Sequence, residues 1–393
     1  MEQEGGAGPG SNGPLEGLRV LDLTSTMSGP FCTLLLAQLG ALVDKIEPPV
    51  GDVLRRVPGG KSATMSPIFL AFNAGKRSIS LNLGVESNRE LLRRSFRSYD
   101  VIVHNMRPSA AGRIGLTQTA LSEAGSDAVL CEIVGYGPGP FQDQPAYDDT
   151  IQAASGMAWV QGNGATPEYV RTAIADKTAG IYAALAVCAE LSGRARGRAA
   201  RAVKIPMLET LAAFTTIEQL GGLTFDPPTG PALYARTASP ERRPYATADG
   251  YISVMIYTDR HWRAFLAEIG RMDLIIDPRF ATLAGRTSNI DEVYEFVAEQ
   301  VAERTTDEWV QTLRRIDVPH ARVNSLGDLF EDLQLASVKM FAPRSHPTEG
   351  TLRTARPPFL FDDEPLADPG FAEQLGASTA AFIAEHCTVA AES

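Results

Sequence analysis

The sequence is poor in the two residue types that most often carry metal and redox chemistry. Its 393 residues include only four cysteines and five histidines. The histidines form no HxxxH pair and the cysteines no CxxC, which argues against zinc and metallohydrolase sites. The cysteines are widely spaced, as is typical of reduced thiols in a cytoplasmic protein, and we expect core thiols at Cys32, Cys131, Cys188 and Cys387.

An excess of positive charge is also absent. Lysine and arginine number 36 against 47 acidic residues, for a formal net charge of −11. A nucleic-acid partner needs a basic stripe to meet its phosphates, so we expect none. No apolar run reaches the length of a membrane span, and the opening MEQEGGAGPGSNGP lacks the apolar and basic segments of a signal peptide. We expect residues 1–14 to form a disordered tail and the protein to have no membrane partner.

Several nucleotide and hydrolase motifs are missing as well. The turn STMSGP after the first apolar run is not GxGxxG, so dinucleotide binding loses its main support. The chain has neither a Walker A loop nor a GxSxG nucleophile elbow. These absences leave acidic residues as the main candidates for catalysis.

What is present is an alternation of short apolar runs and helical patterns. We predict strands at 18–24, 42–47, 77–83, 100–104 and 128–134, with helices over FCTLLLAQLGA and 86–97. This order favours an α/β fold with a parallel, doubly wound sheet.

The composition changes at the break FDPPTGP, which indicates a second domain. We predict a strand at 251–257, helices near 259–269, 290–304 and 306–316, and a short strand at 321–324. A helix from about Pro206 to Gly221 precedes the break, after a basic turn at SGRARGRAARAVK. A last helix is predicted around 371–386.

The stretch from Gln144 to Leu191 holds a Tyr-Asp pair and then a single acidic residue that opens an apolar helix. Asp176 is predicted at or beside the N-cap, where free N–H groups and the helix dipole keep a carboxylate ionised. Gly180 is expected to leave the first turn open to a ligand. Two interpretations stay open, since Asp is a common N-cap and also a potential nucleophile.

Several segments along the chain resemble those of a known protein family. The chain resembles the family III CoA-transferases, a group that includes formyl-CoA transferase, carnitine CoA-transferase and the α-methylacyl-CoA racemases. The resemblance runs from Leu15 to about Thr379. It rests on these segments, in order: LEGLRVLDLT, SGPFCTLLLAQLGALVDKIEPPVGD, FNAGKRSISLNL, VIVHNMRPSAAGRIGL, IVGYGPGPF, YDDTIQAASG, IADKTAGIYAAL, YATADGYISV, DPRFATLAGRTSNIDE and RTTDEWVQTL.

The resemblance implies a Rossmann-like large domain formed by both chain ends, with a smaller α+β domain inserted between them. Two such subunits interlock like linked rings in a homodimer. The implied boundaries are 15–205 for the large domain, 206–228 for a linker helix, 229–324 for the small domain and 325–393 for the segment that returns to the large domain.

The resemblance also implies roles for individual residues. The family's nucleophile falls on Asp176, and a pair that lines the acyl site falls on Tyr147 and Asp148. CoA-contacting positions fall on Met27, Ser28, Leu81, Asn82, Leu83, Gly84, Asn105, Met106, Arg107 and Arg113. Prolines stand at two positions that are basic in the family, Pro48 and Pro145, so Arg55, Arg56 and Lys76 are candidates to replace those contacts.

The implied activity is transfer of CoA from an acyl-CoA thioester to a carboxylic acid through intermediates on the aspartate, with neither ATP, metal nor a permanently bound cofactor. Two alternatives are an acyl-CoA racemase and a non-catalytic CoA-binding protein. The racemases have a histidine where this chain has Tyr147, which favours transfer. The segment GPALYARTASPERRPY has no polyglycine run like that of formyl-CoA transferase, which argues against small oxalate-like substrates.

Overall fold

The structure is a computed structural model that describes residues 13–199 and 201–387. The predicted tail therefore lies outside the described residues except for Gly13 and Pro14. No helix of the described chain is both long enough and apolar enough to cross a membrane.

A six-stranded parallel sheet forms the centre of the fold. The strands are β1 (Arg19–Leu23), β2 (Leu42–Glu47), β3 (Lys76–Ser80), β4 (Val101–His104), β5 (Val129–Val134) and β6 (Val203–Pro206). Their order is β3-β2-β1-β4-β5-β6, which is the strand order of the doubly wound nucleotide-binding folds. The predicted parallel α/β fold is confirmed, whereas β6 was not predicted: it begins in the segment taken for a basic turn and ends at Pro206, where a helix was predicted to start.

Nine α-helices precede the Pro/Gly break in the described chain. They are α1 (Ser28–Gln38), α2 (Pro67–Phe72), α3 (Glu86–Ser95), α4 (Pro108–Arg113), α5 (Gln118–Glu123), α6 (Asp148–Ala154), α7 (Met157–Gln161), α8 (Ile174–Ala195) and α9 (Met207–Gln219).

Seven further α-helices and seven short strands follow the break in the described chain. The helices are α10 (Ala235–Ala238), α11 (Asp259–Glu268), α12 (Leu283–Ser288), α13 (Ile290–Val301), α14 (Thr306–Arg315), α15 (Leu333–Ser337) and α16 (Thr379–Cys387). The strands are β7 (Tyr245–Ala246), β8 (Tyr251–Val254), β9 (His320–Arg322), β10 (Arg344–His346), β11 (Gly350–Leu352), β12 (Leu360–Phe361) and β13 (Glu364–Pro365).

Helices cover both faces of the large sheet. Alternate residues of each strand point to opposite faces, so both sets are buried. On β4, Val101 and Val103 pack with residues of α1 and α8, while Ile102 packs on the opposite side with residues of α3, α5 and α16. The thiols of Cys32 and Cys131 are buried within the first of these cores.

The prediction of core thiols is wrong for Cys387, which is exposed, and Cys188 is only partly buried. Cys387 ends the short helix α16, whose inward residues are Phe382 and His386.

The C-terminal segment covers β3, an edge strand of the sheet. The Ser78 N–H donates to the Glu373 carboxylate at 2.8 Å, and the Ser80 N–H donates to Thr379 Oγ1 at 2.9 Å. Such bonds satisfy donors that an edge strand otherwise leaves open. They also explain why the last helix begins at Thr379 and not near 371, since the residues before it bond to the strand instead of to a helix.

The described chain divides into two compact units. The first comprises the residues up to Met157, then Tyr169–Phe214, and then those from Ala336 onward; the second comprises Ala158–Glu168 and Thr215–Leu335. The second unit contains the antiparallel sheet β7-β8-β9 and its own aromatic core around Trp262, Phe265 and Trp309. The division differs from the expected boundaries, since it falls within α9 and assigns 158–168 and 325–335 to the second unit.

Candidate active site

Asp176 is the third residue of α8, and the N-cap position belongs to Ala173. The helix starts earlier than predicted because the Asp148 carboxylate accepts the backbone N–H of Asp176 at 3.0 Å. Capping by an acceptor from another segment satisfies one of the free donors of the first turn. The side chain of Asp176 is therefore not needed as a cap for its own helix.

Asp148 is itself held in place by Gln152, one turn further along α6. The Gln152 amide donates to the Asp148 carboxylate at 2.6 Å, and its oxygen accepts the Val170 N–H at 2.8 Å. Since Val170 leads directly into α8, this network fixes the starts of α6 and α8 relative to each other.

Helix α1 approaches α8 closely beside Asp176. The hydroxyl and the backbone N–H of Ser28 lie near the Asp176 carboxylate and act to lower the pKa of Asp176. A Cβ added at Gly180 would lie 2.8 Å from the Ser28 carbonyl oxygen and 3.1 Å from the Phe31 side chain. Gly180 is therefore needed for helix packing, and the expectation that it opens the first turn to a ligand is wrong.

The loop that carries Met27 and Ser28 has an unusual backbone. Thr26 has φ of 64°, which is uncommon for a residue with a branched side chain. Its N–H donates to the Asp52 carboxylate at 3.4 Å, and Asp52 forms a buried ion pair with Lys45 at 3.1 Å. The Lys45 ammonium also donates to the Thr24 carbonyl at 2.8 Å. The buried Lys45–Asp52 pair thus stabilises the loop through hydrogen bonds to Thr24 and Thr26.

The Asp176 carboxyl has a raised pKa. Burial and the nearby Asp148 carboxylate raise it to about 6, while the hydrogen bonds from Ser28 oppose the rise. This pKa is higher than the position of Asp176 at a helix N-terminus alone would predict. At pH 7 the group is still mostly ionised, and it is more basic than an ordinary aspartate.

A cavity of about 480 Å³ opens at this carboxylate. It brings together four residues predicted from the sequence: Met27, Tyr147, Asp148 and Asp176. The same cavity is also lined by Asp149, an acidic residue, and by residues that sequence reasoning missed, namely Thr26, Leu54 and the segment 169–173. No motif marks that segment; only its link to Gln152 reveals that it belongs to the site.

The predicted CoA positions lie near the carboxyl ends of β1, β3 and β4. Asn105, after β4, exchanges two hydrogen bonds with the backbone of Ser25, after β1, at 2.8 and 3.0 Å. Strand order reverses between these two strands, which is where open α/β sheets bind ligands. Met106 follows directly, while Leu81–Gly84 follows β3, with Leu81 buried in the core.

Two arginines in this region that were predicted to contact CoA have no ion-pair partner among the described residues. Arg107 immediately precedes α4 and Arg113 ends it, and both are exposed. Neither forms an ion pair with a carboxylate of the described residues. Their guanidinium groups are therefore available to an anionic ligand.

Arg55 and Lys76 are not available in this way, contrary to the prediction that they hold CoA. Arg55 is 1% exposed and makes a bidentate pair with Glu47 at 2.7 Å for both bonds. Lys76 is 2% exposed and bonded to Asp22 at 3.1 Å; burial, partly offset by Asp22, lowers its pKa to about 8. Both side chains stabilise the sheet, whereas Arg56 is exposed and donates to the Val50 carbonyl.

No group of three or more His, Cys, Asp and Glu residues in the described chain has an arrangement that fits a metal ion. Of the acidic residues of the cavity, Asp148 accepts hydrogen bonds from the Asp176 N–H and the Gln152 amide. The site thus offers the partly buried carboxyl of Asp176, with the Asp148 carboxylate beside it, near the N-termini of α1 and α6.

Comparison with known proteins places this arrangement in context. A sequence model described as CoA-transferase family III matches residues 15–379. A probable fatty acyl-CoA transferase of Mycobacterium tuberculosis is 31% identical over 317 residues, covering 77% of this chain and 80% of that protein. The formyl-CoA:oxalate CoA-transferase of Streptomyces avermitilis is 29% identical over 370 residues, covering 90% of each.

Solved structures show the same fold. An orthorhombic crystal structure of the mycobacterial protein superposes with a TM-score of 0.81 at 26% identity, covering 95% of this chain and 99% of that chain. The similarity therefore extends over both compact units and is not limited to the parallel sheet.

The electrostatics of the site yield a prediction. Replacing Asp148 by Asn keeps an oxygen for the Asp176 N–H but removes the neighbouring negative charge, so the pKa of Asp176 should fall from about 6 toward its ordinary value. Carboxyl ¹³C NMR across a pH titration, with the signal assigned by its loss in Asp176→Asn, measures the shift.

Asp149→Asn is the matched control, because Asp149 lies in the same first turn of α6 and lines the same cavity. That variant should leave the pKa of Asp176 nearly unchanged. An unchanged or higher pKa in Asp148→Asn would contradict the electrostatic account.

Proposed function

Because this chain belongs to CoA-transferase family III, we propose that it transfers CoA from an acyl-CoA thioester to a carboxylic acid, with Asp176 as the nucleophile. The observation that carries the proposal is the placement of Asp176. It lies in a cavity between two helix N-termini, is not used as a cap, and has a carboxyl of raised basicity.

In the first half of the proposed reaction the Asp176 carboxylate attacks the thioester carbonyl. The carbon–sulfur bond breaks, which gives a mixed anhydride and CoA thiolate. The thiolate then attacks the aspartyl carbonyl, which releases the donor acid and leaves CoA bound as an aspartyl thioester. Each step exchanges one acyl bond for another, so the thioester's free energy is conserved.

The second half reverses this sequence with a new acid. The incoming carboxylate attacks the aspartyl thioester, forming a second mixed anhydride and again releasing the thiolate. Attack of the thiolate on the acyl carbonyl produces the new acyl-CoA and restores the Asp176 carboxylate. Between turnovers the nearby Ser28 hydroxyl and N–H favour the ionised form of Asp176, since they act to lower its pKa.

Racemisation, the main alternative, requires two groups that exchange a proton at the same carbon. No histidine or lysine lines this cavity among the described residues. Both oxygens of Asp148 are engaged, one by the Asp176 N–H and one by Gln152. With Tyr147 in place of the histidine of the racemases, the site favours transfer.

Direct screening can identify the donor and acceptor acids. Purified protein incubated with a panel of acyl-CoAs and mixed carboxylic acids, followed by mass spectrometry, identifies the CoA products. Incubation in deuterated water tests the alternative at the same time, because a racemase incorporates deuterium at the α-carbon without any change of acid.

Replacing the nucleophile provides the central test. Asp176→Asn should reduce transfer by roughly a thousandfold or more while acyl-CoA binding persists, because the amide lacks the attacking anion. Initial rates and calorimetric binding of acyl-CoA measure the two effects separately. Hydroxylamine added to the parent during turnover should convert Asp176 to a hydroxamate, which peptide mass spectrometry detects.

Two controls belong to this test. Intact-mass measurement excludes deamidation of Asn back to Asp, and the melting temperature shows that the variant is folded. In the parent, the acylation rate should fall as pH drops through about 6, because protonation removes the nucleophile. A folded, fully active Asp176→Asn protein would rule out the mechanism.

The CoA moiety is proposed to bind beside β4, with Arg107 and Arg113 on its phosphates. Both guanidinium groups are exposed and without carboxylate partners in the described chain, next to the reversal of strand order. Guanidinium geometry suits phosphate oxygens, and its charge is retained at all working pH values.

Arg107→Ala should therefore raise the KM for acyl-CoA by roughly tenfold, with a much smaller effect on the KM for the acceptor acid. Steady-state kinetics with each substrate varied in turn makes the comparison. Arg94→Ala is the control, since Arg94 is exposed on α3 and forms only a loose pair with Glu90 at 3.8 Å. Equal effects of Arg107→Ala on both substrates would count against this placement.

We also propose that the protein is a homodimer of the interlocked kind implied by its family. Helix α8 exposes Ile181 and Leu185, one turn apart, at 50% and 65%, and α9 exposes Phe214 and Ile217 at 45% and 82%. Aligned apolar side chains on successive turns form a stripe that a monomer seldom leaves in water.

Light scattering should show a particle of twice the chain mass that persists on dilution, since linked subunits do not separate while folded. Leu185→Asp and Ile217→Asp should prevent this assembly or its proper folding. Leu42→Asp, at a leucine of β2 that is 62% exposed, serves as the control. A folded monomer of the parent at low concentration would refute the interlocked arrangement.

A further inference from the structure

The second compact unit contains a cavity of its own, of about 270 Å³. Its walls come from α10, the loop before β7, β8 and the helices α11 to α13. Nothing in the reaction proposed for Asp176 uses these residues, yet their chemistry is distinctive.

Four of the lining residues are arginines and none is acidic. Two of the arginines are neutralised from outside the cavity: Arg286 by Asp259 at 2.6 Å and Arg243 by Glu241 at 2.7 Å. The other two, Arg236 and Arg242, form no ion pair with any carboxylate of the described residues. The cavity wall thus carries two positive charges without counter-ions.

Arg236 is held in a defined position. Its Nε donates to the Tyr294 hydroxyl at 2.9 Å, and its guanidinium lies over the Tyr257 ring at 5.4 Å from the centroid. These neutral contacts orient the group without cancelling its charge. A guanidinium fixed in this way loses little conformational entropy when it binds an anion.

The inner wall of the cavity is apolar. Val254, Val293, Val297 and the Trp262 ring line it and are at most 9% exposed. A ligand that fills the cavity must therefore have a negatively charged head for the arginines and an apolar body for this wall. Inorganic anions supply the head alone, and neutral lipids supply the body alone.

We propose that this cavity binds an organic carboxylate with a short apolar chain, with Arg236 and Arg242 on the carboxylate and the chain against Val254, Val293 and Trp262. Carboxylates match guanidinium groups in geometry and charge. The volume accommodates a chain of about six carbons, near the lower end of small-molecule sites. This binding does not depend on the transfer reaction.

Isothermal titration calorimetry of the full-length protein with hexanoate tests the proposal. Hexanamide, which has the same chain without the charge, should bind at least roughly tenfold more weakly, and inorganic phosphate should not bind comparably. Asp176→Asn should retain hexanoate binding, so the proposal can be tested even if transfer activity is absent, and the arginine variants below assign the binding to this cavity.

The arginine variants provide the decisive comparison. Arg236→Gln and Arg242→Gln should each weaken hexanoate binding by roughly tenfold, whereas Arg243→Gln, in the same loop but already paired with Glu241, should not. Arg242 is exposed and has no carboxylate partner, so its replacement tests binding without loss of a structural contact. Equal binding of hexanoate by the parent and Arg242→Gln, or of hexanoate, hexanamide and phosphate by the parent, overturns the proposal.

Discussion

The close approach of α1 and α8 at Gly180 is the constraint on which the candidate site depends. It is possible only because position 180 has no side chain, and it brings Ser28 near the Asp176 carboxylate. The loop before α1 must then pass through the left-handed backbone of Thr26, which the buried Lys45–Asp52 pair supports. A contact between two helices thus determines where the Asp176 carboxylate lies and how the adjoining loop folds.

The same site lowers the stability of the fold. Because the pKa of Asp176 rises from 3.8 to about 6 on folding, the folded state binds the proton more tightly than the unfolded chain does. The stability gained from the protonated form is full below about pH 4 and is lost as pH rises through 6, at most about 3 kcal/mol. Burial removes water from the ionised Asp176 carboxylate at a cost in folding free energy, and Asp176→Asn should remove that cost.

The sequence predicted the elements that depend on local pattern, and it missed those that depend on distant partners. The alternating strands and the apolar run after Asp176 were enough to predict the parallel sheet and α8. Arg55 and Lys76 were taken for ligand-binding groups because nothing nearby in sequence reveals Glu47 or Asp22 as their partners. Likewise, the lining segment 169–173 is linked to the site by Gln152, a contact that no periodicity encodes.

The covering of β3 by the C-terminal segment has a consequence for synthesis of the chain. The six-stranded sheet is complete in sequence once Pro206 has been made, yet the acceptors for the N–H groups of Ser78 and Ser80 lie at Glu373 and Thr379. During translation, all of the second unit emerges from the ribosome while this edge is still unprotected. The nascent protein therefore passes through a long interval in which β3 presents free backbone donors to other chains, and binding by a chaperone in that interval would protect the edge until the last residues arrive.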